Sequence, residues 1–254
     1  MTFLTGVAAL TKFRFALAAL PIAILAGCGD GAGNVTAPAG SVANVTAPAG
    51  ANWVETVNVS PQGGYVMGNP NAAIKLVEFG SRTCHVCAAF EEEGVPALKE
   101  KYIATGKVSY EFRDFLRGPV DIAGALIASC NGTEPFFPLT EQMMRGQEEL
   151  LTKAQASLDQ AASQRISALP PAQQMTAIAE AVGFIDWGKQ RGVAEPKMRQ
   201  CLADTTKIDA LVAANTKASE EFEIQGTPTF LLNGRKVEGT TWTQVEALLK
   251  NAGA

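Results

Sequence analysis

Ile74-Lys75-Leu76-Val77-Glu78-Phe79-Gly80-Ser81-Arg82-Thr83-Cys84-His85-Val86-Cys87 is the stretch on which the fold turns. Its first half alternates and is rich in β-forming residues, so residues 74–80 read as a strand. The segment from Ala88 to Tyr102 has helical periodicity, which places two cysteines one turn apart where a strand feeds a helix. Cysteines at i and i+3 share one helix face, so a short disulfide can close between them. Unpaired N–H groups at the helix start stabilise a thiolate on the first of them, Cys84. Such a thiolate is the nucleophile of disulfide exchange and also leaves readily. The only histidine, His85, lies inside the motif, where a protonated ring would add to that stabilisation.

Two other uses of the pair fit less well. A zinc site needs about two more Cys or His ligands. Only Cys130 and Cys201 remain in the folded region, far apart and each alone in its segment, so no metal site is expected. A purely structural disulfide across so short a span would constrain almost no chain entropy.

With 254 residues and 47% apolar side chains, the chain can fill one large core or two small ones. The net charge is −4 and no Lys/Arg-rich tract occurs, so nucleic acid is not an expected partner. Near the N-terminus, Lys12 and Arg14 precede an apolar run from Phe15 to Leu25, followed by Leu25-Ala26-Gly27-Cys28. Residues 1–27 therefore read as a signal peptide, with an apolar run too short for a comfortable membrane span. The tetrapeptide resembles a bacterial lipobox, which implies lipidation of Cys28 and a lipid-anchored protein facing the periplasm of a bacterial envelope. Of the five cysteines, four then remain, and Cys84 with Cys87 leaves Cys130 with Cys201. In an exporting compartment a second disulfide is the default, two buried thiols being the alternative.

Residues 28–52 are poor in apolar bulk. Asn34-Val35-Thr36-Ala37-Pro38-Ala39-Gly40 recurs as Asn44-Val45-Thr46-Ala47-Pro48-Ala49-Gly50. This composition predicts a flexible tether averaging roughly 25–30 Å end to end. Folding signals start at Trp53. Strands are expected near 53–59, 64–67, 74–80 and 107–115, and a helix over 119–130. From 134 to 222 the periodicity is almost wholly helical, with helices at 159–168, 172–182, 195–202 and 208–222. Strands return at 229–233 and 236–238, and a helix at 241–249 closes the chain. The expected plan for residues 53–254 is an α/β core, about 53–118 and 223–254, interrupted by a helical insertion over about 119–222.

Several of these segments carry a family likeness. Gly68-Asn69-Pro70, Leu76-Val77-Glu78-Phe79 and Cys84-His85-Val86-Cys87 in the first half, with Gly226-Thr227-Pro228-Thr229-Phe230 and Asn233-Gly234 in the second, resemble the DsbA-like thiol:disulfide oxidoreductases. The helical insertion is also that family's plan. The resemblance covers roughly residues 64–254 and implies a thioredoxin fold with an inserted helical subdomain. It implies a cis bond before Pro228, facing the cysteines, with the Thr227 backbone free to pair with an extended substrate. Glu78 stands where relatives carry a buried acid, one that passes a proton to the resolving thiol, Cys87. Glu91 matches a second family acid, although a solvated face shared with Glu92 and Glu93 is the stronger expectation.

The implied activity is exchange of protein disulfides without a cofactor, in the oxidising direction, on exported proteins that contain cysteines. A membrane redox partner would restore the pair. Reduction or isomerisation is the alternative within the family, because here the histidine follows the first cysteine and a threonine precedes Pro228. Proteins of this fold span about 150 mV, or ~7 kcal/mol. A metal-handling lipoprotein is the alternative from another class.

Overall fold

Strand β3 (Ile74–Gly80) is central because both of its faces are apolar; Lys75 is its one exposed residue. The computed structural model describes residues 40–254 and sets β3 in a six-stranded sheet. Its partners are β1 (Val57–Val59), β2 (Tyr65–Gly68), β4 (Val108–Asp114), β5 (Thr229–Leu232) and β6 (Arg235–Val237), in the order β1-β2-β4-β3-β5-β6. Only β3 and β4 pair in parallel. Glu78 thereby lies opposite Phe112 on one side and Phe230 on the other.

The parallel crossover holds the redox motif. Instead of one helix over 88–102, it contains α1 (His85–Glu93), α2 (Val95–Leu98) and a π-helical turn, Lys99–Ile103. Pro96 causes the break, since it has no N–H to continue the ladder of α1. Gly80 ends β3 without a side chain because a Cβ there would lie 2.4 Å from the Phe112 ring.

Between β4 and β5 run α3 (Pro119–Ala128), α4 (Phe136–Arg145), α5 (Gln147–Ser157), α6 (Gln160–Ser167), α7 (Pro171–Ala181), α8 (Phe184–Lys189), α9 (Glu195–Leu202) and α10 (Thr205–Phe222). These eight helices lie between Pro119 and Phe222. Their core is continuous with one face of the sheet, where Ile74, Leu76, Tyr110 and Phe112 pack with Phe136, Phe137 and Met143. The rings of Tyr65 and Phe136 stack at 3.6 Å across this seam. Full burial of Phe136 contributes roughly 2–3 kcal/mol. The opposite face, with Val77, Phe79 and Leu231, is covered by Ala218 and Phe222 of α10. Helix α11 (Trp242–Asn251) begins with a capping box from Thr241 and Gln244 and buries Val245 and Leu249 in the larger core.

Cys130, just past α3, and Cys201 in α9 form the expected disulfide, with a Cα separation of 5.9 Å. Their separation of 71 residues makes this crosslink worth about 4 kcal/mol in the chain-entropy account.

The expected signal segment 1–27, Cys28 and the expected tether up to residue 39 lie outside the described residues. The rest of the expected tether departs from a free chain. Val42 N–H donates to Gly253 O (2.8 Å), Val45 N–H to Thr105 O (2.9 Å) and Trp53 Nε1 to Val45 O (2.7 Å). The segment from Val42 to Trp53 is thus held against the domain by bonds that composition does not register. Gly106, at φ +72°, allows the approach, because a Cβ there would sit 2.3 Å from Val45 O. Among the described residues, no helix is long and apolar enough to cross a membrane.

Candidate active site

Cys84 is the N-cap of α1, with an extended backbone (φ −99°, ψ 118°), so its sulfur sits over the open end of the helix. Cys84 retains 6% of its surface and Cys87, one turn later, retains none. Both are free thiols. The Cys84 pKa falls to about 5. Hydrogen bonding from the Cys87 thiol contributes most, followed by the Thr227 side chain and the backbone N–H groups of Cys87 and Val86, with burial opposing them. Burial and the Cys84 sulfur push Cys87 the other way, far above an ordinary thiol. The two sulfurs are thereby sorted into an acidic outer thiol and a buried inner one.

His85 occupies the first position of α1 and is exposed. The groups that make Cys84 acidic are the inner thiol, Thr227 and the helix N–H groups.

The Thr227-Pro228 bond is cis. It brings a segment 143 residues away to the cysteines, and as a thiol Cys84 donates to Thr227 O at 3.1 Å. Pro228 is buried and leads into β5.

Glu78 is 1% exposed beneath the pair and accepts a hydrogen bond from Tyr110 Oη (2.6 Å). Burial raises its pKa to about 8, against the Tyr110 hydrogen bond, which favours the charged form. Its charge in turn raises Cys87, so the carboxyl and the inner sulfur are electrostatically coupled. Glu91 corrects the solvated-face expectation, being only 4% exposed, unlike its exposed neighbours Glu92 and Glu93. Four residues after Cys87, it shares the inward face with Cys87 and Phe90. Burial, then the charges of Glu141 and Glu78, lift it to about 8, and its Oε1 has no hydrogen-bond partner.

A second set of side chains, absent from the sequence reading, holds the loop between β3 and Cys84. Asp121 in α3 accepts from Ser81 Oγ, Thr83 N–H and Thr83 Oγ1 at 2.9–3.1 Å. Arg82 pairs with Asp114, donates to Thr140 Oγ1 (2.8 Å) and lies 5.5 Å from both the Phe112 and Phe136 rings. Asp121 had a sequence signal, as the one acid in the otherwise apolar helix from Pro119 to Ala128. Among the described residues, no group of three or more His, Cys, Asp and Glu side chains is placed to hold a metal ion.

An acidic thiol over a helix end, a buried partner one turn in and a cis-proline opposite define the thioredoxin-fold class of dithiol proteins. Residues 60–251 match a family model described as Thioredoxin, and the chain belongs to that family. The crystal structure of a protein-disulfide isomerase from Novosphingobium aromaticivorans is 32% identical in sequence. The alignment covers 73% of this chain and 96% of that one, with a TM-score of 0.68. The alpha-DsbA1 structure from Wolbachia pipientis shares the fold at 22% identity, covering 74% of this chain and 89% of that one, with a TM-score of 0.57. A Rickettsia bellii protein named "Putative protein-disulfide oxidoreductase" is 26% identical over 187 residues, which are 74% of this chain. This chain spans 63% of the length of that relative.

Proposed function

We propose that this chain is a lipid-anchored, exported thiol:disulfide oxidoreductase that oxidises cysteine pairs in other exported proteins. The observation that carries the reading is the division of labour between the two sulfurs, acidic at Cys84 and strongly basic at Cys87. A stable Cys84 thiolate favours the reduced pair, which makes the disulfide form an oxidant.

In the oxidised enzyme, a substrate thiolate attacks Cys84 Sγ. The Cys84–Cys87 bond breaks, and its electron pair leaves on Cys87, which takes a proton from neutral Glu78. A mixed disulfide now joins substrate and Cys84, held by pairing of an extended substrate segment along the Thr227 backbone. A second substrate thiolate then attacks the substrate sulfur and Cys84 leaves as a thiolate. The substrate has lost two electrons and the pair has gained them. A membrane-bound oxidant, reached through the lipid on Cys28, removes them again.

Equilibration of the Cys84–Cys87 pair with glutathione tests the direction. The expected potential is more oxidising than about −180 mV, whereas a value near −270 mV would assign a reductase. Isomerase activity is the second reading, favoured by Thr227 before the cis-proline and by the name of the Novosphingobium relative. Refolding of a scrambled disulfide protein at a rate independent of added oxidant would select it. For the anchor, Cys28→Ala is expected to lose fatty-acid labelling; labelling equal to the wild type would remove lipidation from the proposal.

A further inference from the structure

Every residue of the loop leading into Cys84 is gripped by the helical insertion, through Asp121, Thr140 and Gln147. Gln147 is the contact nearest the chemistry. It opens α5 directly after Gly146, is 2% exposed, and its Nε2 donates to Arg82 O (2.8 Å) and Cys84 O (3.0 Å). One –NH2 group has two protons and no lone pair free to repel, so it can bridge two carbonyls where a hydroxyl or carboxylate could not. The Cys84 carbonyl also accepts Ala88 N–H (3.1 Å), the first rung of α1. Held from both sides, that carbonyl cannot swing as the Cys84 backbone turns. Such a turn is the motion that would carry Sγ away from the N–H groups of Val86 and Cys87. The arrangement is not the cheapest way to fill space. Gln147 Oε1 is buried without a hydrogen-bond partner, a cost that an apolar side chain would avoid.

We propose that Gln147 is a positioning residue of the redox pair, through which the inserted helices set how well the first turn of α1 stabilises the Cys84 thiolate. This rests on the oxidoreductase reading above and gives the insertion a part in tuning the centre.

The test compares wild type, Gln147→Met and Gln147→Glu as full chains. Met keeps the length without donors; Glu keeps the shape but turns an acceptor toward two carbonyls. The measurements are the Cys84 thiolate titration by ultraviolet absorbance, the glutathione equilibrium and the denaturant midpoint. Both variants are expected to raise the Cys84 pKa by about one unit and to make the disulfide about tenfold less oxidising. A lower midpoint with unmoved pKa and equilibrium, in whichever variant folds, would reduce Gln147 to a staple between core and insertion and overturn the proposal. A wild-type Cys84 that titrates like a free thiol would instead refute the oxidoreductase mechanism itself. An acidic wild type with unmoved variants refutes the role of Gln147 alone.

Discussion

Cys84→Ser is expected to abolish disulfide exchange, whereas Cys87→Ser should accumulate mixed disulfides joined through Cys84. A serine hydroxyl is not ionised at neutral pH, so the first variant has no nucleophile and no sulfur to accept attack. A loss of at least about a thousandfold is expected from removing an essential nucleophile. The second variant keeps the acidic outer thiol but lacks the inner sulfur that would expel a bound substrate. With Cys87 replaced and Cys130 and Cys201 joined in a disulfide, Cys84 is the one free thiol left among the described residues, so trapping should be confined to it. In the reduced wild type, alkylation of Cys84 should rise through a pH of about 5 and level off near neutrality. An ordinary thiol would still be gaining thiolate there. Mass spectrometry of Cys87→Ser adducts that finds substrate on another cysteine would break this assignment, as would residual exchange in Cys84→Ser.

Glu78→Gln should yield a protein more stable than the wild type at neutral pH and slower in releasing Cys87. Burial raises the folded pKa of Glu78 from 4.5 to about 8, so the unfolded chain ionises first. Between those two values the unfolded state holds fewer protons, and the wild type loses stability as the pH rises. Below 4.5 the carboxyl is protonated in both states and carries no such penalty; above about 8 the penalty is complete. At pH 7 it amounts to about 3 kcal/mol. Glutamine removes it while its Oε1 still accepts from Tyr110 Oη. Denaturant unfolding at pH 4.5 and pH 7, in one redox state, should show the advantage of Glu78→Gln only at the higher pH. Equal advantages at both would mean that Glu78 is ionised in the folded protein. In that case it could not hand a proton to Cys87. The kinetic half of the expectation is a slower first exchange step in the variant, with the Cys84 pKa little changed.

What could be read from residues alone was local or countable. Strand β3 followed from alternation, the redox pair from a spacing of three, and Cys130–Cys201 from the even number of cysteines left after Cys28. The helical run from Pro119 to Phe222 showed in the sequence as a switch to helical periodicity. The cis bond at Pro228 and the buried acid at Glu78 needed the family resemblance, since most X-Pro bonds are trans and a lone acid in a strand is ambiguous. Other features were decided only when distant segments met. Glu91 was hidden by two equally acidic neighbours, and its burial depends on which face of α1 meets α4. The docking of Val42 and Val45 depends on backbone groups of residues 253 and 105 that no composition reveals. Gln147 stands 63 residues from Cys84, between a glycine and two glutamates, and nothing in that polar local sequence marks it as buried. Short-range periodicity reports which side chains share a face, because helix and strand geometry repeats over a few residues. Which polar groups a buried loop will find as partners depends on the packing of whole elements, and here the insertion supplied them.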